Sequence, residues 1–280
     1  MTVVVSISPL ALEKKEDGRF LVASLRFYVD SVELSIDKSL CIRCDICSKV
    51  CPKEAFSIRV NDGKAEIALE EDKCVLCGAC EPLCPTSAIR ILFNGKWSNV
   101  LVDRGGFPTP LPKLSIESTK CPEGCSDAAR ACPRGALKFE GGALSFNEER
   151  CLRCPWCEDA CKHGAVKANP LFLGRISIDD TKCSKGCDIC AKVCPTSAIK
   201  IEEGRAKVTE RYCIFCNACS IVCKDNAINV ERYHVFVKEG FSSLWSSALS
   251  KLIGQKYSAR LLDRSSIERL RSVVSESRVT

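Results

Sequence analysis

The chain has 280 residues, 23 of them cysteine, only 6% aromatic residues and a formal net charge of +6. A cysteine fraction of about 8% signals disulfides or metal. The length, the odd count and an N-terminal stretch (Met1-Thr-Val-Val-Val-Ser-Ile-Ser-Pro9) without a basic segment or a long apolar run argue against secretion and a disulfide framework. No stretch approaches the roughly 18 apolar residues of a membrane span, so a cytoplasmic chain with reduced thiols is expected.

Val3, Val5 and Ile7 alternate, as do Leu21, Ala23, Leu25, Phe27 and Val29, with a turn signal at Lys14–Arg19 between them. This predicts a β-hairpin ahead of the first cysteines. Val32, Leu34 and Ile36 form a short strand leading to Cys41, Cys44, Cys47 and Cys51-Pro52. Phe56, Ile58 and Val60 then run to a turn at Asn61-Asp62-Gly63, and Ile67 and Leu69 lead to Cys74, Cys77, Cys80 and Cys84-Pro85. Residues 90–118 are a longer insertion. Its segment Arg104–Pro112 is too rich in Pro and Gly for a helix or central strand, and reads as a linker or an arm packed on a neighbour.

Cys121, Cys125 and Cys132-Pro133 come next, then a hairpin carrying Leu137, Phe139, Leu144 and Phe146 around Gly141-Gly142, then Cys151, Cys154, Cys157 and Cys161-Lys162. A connection through Asn169-Pro170 reaches a strand at Arg175–Ile178. Cys183, Cys187, Cys190 and Cys194-Pro195 follow, then a hairpin from Ile199 and Ile201 to Ala206 and Val208, then Cys213, Cys216, Cys219 and Cys223-Lys224. Tyr233, Val235 and Val237 predict a last strand. Leu244, Trp245, Ala248, Leu249, Leu252 and Ile253 fall at helical spacing, and Ser265-x-x-Glu268 opens a final helix.

Six cassettes thus hold all the cysteines. Each ends in Cys-[Pro/Lys]-x-x-Ala-apolar, at Ala55, Ala88, Ala136, Ala165, Ala198 and Ala227, which supports internal duplication. The full pattern, as in Cys74–Pro85, is the C-x2-C-x2-C-x3-C-P run of bacterial-type iron–sulfur ferredoxins. Three cysteines in a loop wrap three irons of a cubane. The fourth lies about a helical turn beyond and, in two-cluster ferredoxins, ligates the other cluster. The expected sets are Cys41, Cys44, Cys47 with Cys84; Cys74, Cys77, Cys80 with Cys51; Cys151, Cys154, Cys157 with Cys132; Cys183, Cys187, Cys190 with Cys223; and Cys213, Cys216, Cys219 with Cys194. Each would hold a [4Fe–4S] cluster through iron, five in all.

Cys121, Cys125 and Cys161 remain, with Ala128 where cassette five has Cys190. Three readings stand for this sixth site: a [3Fe–4S] cluster, a [4Fe–4S] cluster completed by water, a carboxylate such as Asp127 or a partner's ligand, or an empty remnant. Structural zinc sites pair two Cys-x2-Cys halves at a distance, which these runs do not resemble. His163 reads as a surface loop residue. Lys162 and Lys224, in place of proline, would raise the potential of a nearby cluster. Each oxidised four-thiolate cluster carries about −2, so the loaded protein sits near −6. The Lys and Arg excess then compensates buried charge, and nucleic acid is not an expected partner.

The fold class expected is α+β: three tandem two-cluster modules of short β-hairpins and short helices around the clusters. The N-terminal β-hairpin extension occupies 1–31, module 1 32–93, the linker or arm 94–113, module 2 114–170, module 3 171–232, and a C-terminal strand and helical tail 233–280.

On the cassettes spanning 41–228, and on size and the Gly105-Gly106-Phe107-Pro108 insertion, the chain resembles archaeal polyferredoxins and is similar to the polyferredoxin component of formylmethanofuran dehydrogenase. The resemblance implies a non-catalytic electron-relay subunit of a larger anaerobic oxidoreductase of methanogenesis, wired to a molybdenum or tungsten catalytic subunit. The alternatives are a free polyferredoxin carrier and an electron-transfer subunit of a hydrogenase or heterodisulfide reductase. No pterin, flavin or nucleotide motif points to catalysis by this chain.

Overall fold

The computed structural model describes residues 12–253 except 62, 123, 141–142 and 239–242. The strand expected at Val3–Ile7, the helix expected from Ser265, and the turn residues Asp62 and Gly141-Gly142 lie outside the described residues.

Strand β1 (Glu13–Glu16) pairs antiparallel with β2 (Phe20–Arg26), and β2 with β3 (Ser31–Asp37). Leu21 and Ala23 on β2 and Leu34 and Ile36 on β3 are buried on one face, as the period of two requires. The turn is shorter than the sequence predicts, because Lys14–Glu16 belong to β1. The Asp17 carboxylate accepts the backbone N–H groups of Arg19 and Phe20 at 2.6 and 2.5 Å and closes the chain within Asp17–Arg19. Phe27 and Val29 do not extend β2. They sit exposed in the turn to β3, held by Phe27 N–H donating to the Asp30 carbonyl at 2.7 Å.

The chain then repeats one plan. From β3 it passes through α1 (Ile46–Val50) and the hairpin β4 (Phe56–Asn61) and β5 (Lys64–Leu69), and β6 (Ile89–Phe93) returns to pair with β3. β7 (Lys96–Trp97) and α2 (Val100–Asp103) follow. The second round runs β8 (Leu114–Ile116), α3 (Asp127–Ala131), β9 (Leu137–Glu140), β10 (Ala143–Phe146), α4 (Trp156–Ala160) and β11 (Val166–Ala168), with β11 pairing β8. The third runs β12 (Phe172–Ile178), α5 (Ile189–Val193), β13 (Ile199–Glu202), β14 (Arg205–Val208), α6 (Ala218–Val222) and β15 (Ile228–Val235), with β15 pairing β12. Helix α7 (Ser243–Ser250) comes last among the described residues.

Several boundaries differ from those predicted. β15 runs unbroken from Ile228, so Tyr233 and Val235 continue it, and a boundary at 232/233 falls inside a strand. β12 begins earlier than Arg175, at Phe172. Helix α2 is not predicted by the sequence pattern. Asn99 caps it by accepting the Val102 N–H at 3.3 Å. The Pro- and Gly-rich stretch after α2 lies along the C-terminal segment of its own chain. Pro110 bridges Val237, Lys238 N–H donates to the Thr109 carbonyl at 2.8 Å, and Trp245 packs edge-on against Phe107 at 4.6 Å.

The first and third rounds share one continuous core that includes Leu34, Ile46, Phe172 and Ile228. The second has a small core of its own around Leu114, Ala128, Leu137 and Val166. No helix among the described residues is long and apolar enough to cross a membrane.

Candidate metal centres

The cysteine loops owe their shape to two left-handed residues per cassette. One precedes the second cysteine: Arg43, Leu76, Arg153 and Phe215 in the Cys-x2-Cys openings (φ 51 to 63°), and Gly124 and Gly186 in the Cys-x3-Cys openings (φ 78 and 85°). The other stands three past the last cysteine: Glu54, Ser87, Gly135, Gly164, Ser197 and Asn226 (φ 50 to 62°). A left-handed non-glycine residue costs about 1–2 kcal/mol, so its recurrence at equivalent places marks a conformation fixed by function.

The second left-handed residue turns the following alanine onto the sulfur. The backbone N–H groups of Ala55, Ala88, Ala136, Ala165, Ala198 and Ala227 donate to Sγ of Cys51, Cys84, Cys132, Cys161, Cys194 and Cys223 at 3.2–3.4 Å. The carbonyls of the same alanines accept from Glu70, Asp37, Asn147, Glu117, Thr209 and Asp179, each at 2.8 Å. All six alanines are buried. Each alanine is thus held by its backbone between sulfur and strand and buried there, a place that suits a small side chain.

The single-turn helices place the third and fourth cysteines. Cys47, Cys157, Cys190 and Cys219 are each the second residue of a five-residue helix, and Ala128 holds that place in α3. Cys51, Cys132, Cys161, Cys194 and Cys223 all end their helices in extended backbone, which the following proline favours after Cys51, Cys132 and Cys194 and which is kept before Lys162 and Lys224.

Four cavities bring cysteines of neighbouring cassettes together. Cys51 faces Cys74, Cys77 and Cys80 across about 320 Å³ of empty space, counting the part open to solvent, and Cys132 faces Cys151, Cys154 and Cys157 across about 310 Å³. Cys194 lies with Cys213, Cys216 and Cys219 across about 330 Å³, and Cys223 with Cys183, Cys187 and Cys190 across about 370 Å³. Cys41, Cys44 and Cys47 each lie in the electrostatic field of Cys84. Burial, and then the neighbouring thiols, push Cys44, Cys47 and Cys80 well above the ordinary thiol range, and Cys154, Cys157 and Cys213 up to about 12.

Thiols this reluctant to ionise hold a charge only when a cationic centre stabilises the thiolate. All 23 cysteines are free, and no three Cys, His, Asp or Glu side chains among the described residues converge as a single ion needs. Four thiols spread around a void, with backbone N–H groups aimed at their sulfurs, fit a polynuclear iron–sulfur group. When bound, such a group takes up and releases one electron at a time.

The remaining cysteines, Cys121, Cys125 and Cys161, are half-buried in the second round. Burial, then Cys125 and Cys161, raise the pKa of Cys121. Ala128 packs into the small core with Leu137 and Val166. The Asp127 carboxylate is engaged elsewhere: Arg130 Nη2 donates to it at 2.5 Å, and Lys162 Nζ lies 3.9 Å away. His163 is exposed, and Lys224 lines the cavity of Cys183, Cys187, Cys190 and Cys223.

Charged and aromatic residues that the cysteine pattern does not reveal join the cassettes. Arg232, 3% exposed, donates from Nη2 to Asp45 Oδ1 at 2.8 Å and to the Cys216 carbonyl at 3.0 Å, and from Nε to the Phe215 carbonyl at 2.7 Å. Lys113 Nζ reaches Ser87 Oγ at 3.0 Å and the Cys151 carbonyl at 3.2 Å. Burial, with Arg153 nearby, lowers the pKa of that lysine. Trp156 stacks on Tyr212 at 3.6 Å, and its Nε1–H donates to the Thr196 carbonyl at 2.8 Å. A larger cavity between them is lined by Ile46, Pro85, Leu152, Phe172, Cys213 and Cys216, so all three rounds border it.

Comparison with known proteins agrees with this chemistry. Residues 40–88 match the 4Fe-4S dicluster domain. Over this segment the chain carries an iron–sulfur domain of the ferredoxin type. It is similar to polyferredoxin protein MvhB of Methanothermobacter marburgensis, with 31% identity over 90 residues, 30% of this chain and 21% of that protein. It is also similar to electron transport protein HydN of Escherichia coli, with 28% identity over 116 residues, 32% of this chain and 65% of that protein. The chain spans between 13% and 65% of the length of the curated relatives it matches.

Among solved structures, a chain of the formate dehydrogenase–heterodisulfide reductase–formylmethanofuran dehydrogenase complex of Methanospirillum hungatei superposes with a TM-score of 0.80. It shares 28% identity and covers 91% of this chain and 96% of that one. The expected likeness to archaeal polyferredoxins is thus seen with MvhB over 30% of this chain, and the fold is shared with a chain of the Methanospirillum complex over 91% of it.

Proposed function

We propose that the chain is an electron-transfer polyferredoxin of three tandem two-cluster modules. It relays single electrons through five [4Fe–4S] clusters, held by the crosswise cysteine sets given above, and a sixth three-cysteine site. The observation that carries this reading is the cavity pattern: each of the four cysteine-lined cavities takes three cysteines from one cassette and the last cysteine of its partner.

At the sixth site, the pairing of Asp127 with Arg130 and Lys162 favours a [3Fe–4S] cluster over a carboxylate-completed cubane. The chain itself fixes thiolates, shields them from water and directs N–H groups at sulfur, and performs no bond chemistry. The module boundaries follow the paired entry and exit strands, with the third module reaching Val235.

The relay is branched. Cys44 and Cys216 lie within each other's field, and Asn217 Nδ2 donates to Asp45 Oδ2 at 3.0 Å, so the first and last modules meet directly. Lys113 and Trp156 join the middle module to both.

The match over 96% of a chain of the Methanospirillum complex supports a subunit role in an anaerobic oxidoreductase such as formylmethanofuran dehydrogenase, with a molybdenum or tungsten catalytic partner. Likeness to MvhB supports the second reading, a free carrier or an electron-transfer subunit of a hydrogenase or heterodisulfide reductase. Anaerobic purification from the source cell separates them. A stoichiometric molybdenum- or tungsten-containing partner is the expected result. A free monomer would overturn the subunit assignment in favour of the carrier.

A further inference from the structure

Two cassettes carry a feature the other four lack. The pentapeptide Cys-Pro-Thr-Ser-Ala occurs at 84–88 and again at 194–198. Thr86 is 2% exposed and Thr196 1% exposed, and each Oγ1 lies 3.7 Å from Sγ of its cassette's last cysteine, Cys84 or Cys194. Lys53, Arg134, His163 and Asp225 occupy the equivalent position elsewhere, and none of them is buried. A buried hydroxyl takes a partner, and the sulfur is the one within reach. A ligating cysteine has lost its proton, so only the threonine has a hydrogen to donate.

Resting on the crosswise sets proposed above, we infer that Thr86 and Thr196 are potential-setting residues. Each donates its hydroxyl hydrogen to a cluster-bound thiolate and raises the midpoint potential of one inner cluster. The sets concerned are Cys41, Cys44, Cys47, Cys84 and Cys194, Cys213, Cys216, Cys219. They flank the Asp45–Arg232–Asn217 contact between the first and last modules.

Reduction adds one negative charge, shared by the sulfurs. A hydrogen bond to a more negative acceptor is stronger, so the hydroxyl favours the reduced state. Burial acts the other way, because low dielectric penalises added charge. Cys44, Cys47, Cys216 and Cys219 are all buried, whereas Cys77 of an outer set is exposed. Without compensation, the junction between modules would be the hardest place to reduce. The two hydroxyls offset that penalty where the modules meet. The inner set of the middle module has no threonine, and Lys113 supplies a cation beside Cys151 instead.

The test is an EPR-monitored potentiometric titration of the full chain, purified anaerobically, with Thr86→Val and Thr196→Val made separately. Each substitution keeps the shape and deletes the donor. One [4Fe–4S] signal should move to lower potential in each variant, and Thr86→Ser and Thr196→Ser should restore it. Iron content serves as the control for folding. If no signal moves in a valine variant that keeps its iron, the hydrogen bond has no such role and the inference falls.

Combining Thr86→Val with Cys47→Ser or with Cys80→Ser assigns the signal. Movement of the signal that Cys47→Ser alters supports the inference. Movement of the one that Cys80→Ser alters overturns the crosswise pairing and, with it, the placement at the junction.

Discussion

Arg232 and Asp45 are 187 residues apart in sequence, and their side chains meet at 2.8 Å with little exposure to water. Asp45 stands between Cys44 and Cys47, and Arg232 holds the carbonyls of Phe215 and Cys216. One guanidinium therefore fastens the first cassette to the last. Burial opposes charge on Asp45, but the charges and hydrogen bonds of Arg232 and Lys49 outweigh it and hold the carboxyl below its ordinary range.

Replacing Arg232 alone leaves the Asp45 carboxylate with Lys49 and Asn217 but without its buried counter-charge. Arg232→Met should destabilise the loaded protein by about 3–5 kcal/mol, whereas Arg232→Met with Asp45→Asn should recover part of that loss. Anaerobic thermal scans of the two variants, following the cluster absorbance, compare them directly. Equal loss in both would show that the ion pair is not what joins the modules.

His234 gives the chain a pH dependence. It is 8% exposed on β15, edge-on to Phe236 at 4.7 Å, and burial holds its pKa below the ordinary value of 6.5. The fold thus prefers the neutral ring. Stability from this residue is complete above about pH 6.5, where the unfolded chain is also neutral, and declines as pH falls from there toward the folded pKa. Thermal midpoints at pH 7.5 and 5.5 should differ more in the native chain than in His234→Gln. An unchanged difference would assign the slope to other groups.

Ala128 occupies the third-cysteine place in α3. Ala128→Cys should convert the sixth site into a complete cubane, remove the oxidised [3Fe–4S] EPR signal and add about one iron per chain. A signal that persists unchanged would mean that the site is not organised like its neighbours.

The cysteine cassettes, the hairpins and the order of elements were legible in the sequence because cysteine spacing and the period of two are local signals. Relations between cassettes were not. Nothing around Asp45, Lys113 or Trp156 marks them as joints, since a lone charged or aromatic residue reads the same on a surface. The two threonines were legible in principle, because Cys-Pro-Thr-Ser-Ala is repeated. The left-handed positions were hidden by their chemistry: Glu54, Ser87 and Leu76 are not residues that announce positive φ. Helix α2 was masked by the Gly- and Pro-rich stretch that follows it.

Gly78 follows Cys77 with φ +79°, and a Cβ there would lie 2.7 Å from Asn99 Nδ2. Asn99 Nδ2 also donates to the Gly78 carbonyl at 2.9 Å. Gly78→Ala should cost about 1–2 kcal/mol in backbone strain and dislodge Asn99. Iron should then be lost first from the set of Cys74, Cys77, Cys80 and Cys51 on dilution with a chelator. Uniform loss from all sets would argue against this local role.

Native mass spectrometry of the anaerobically purified chain tests the central claim, that cysteines of one cassette and the last cysteine of its partner together build six iron–sulfur sites. The expected mass increment is that of five [4Fe–4S] and one [3Fe–4S] group, about 23 irons per chain. In Cys84→Ser the group lost or altered should be the one that Cys44→Ser affects, not the one that Cys77→Ser affects. Zinc in place of iron, or a Cys84 variant that disturbs the Cys74, Cys77 and Cys80 site, would contradict it.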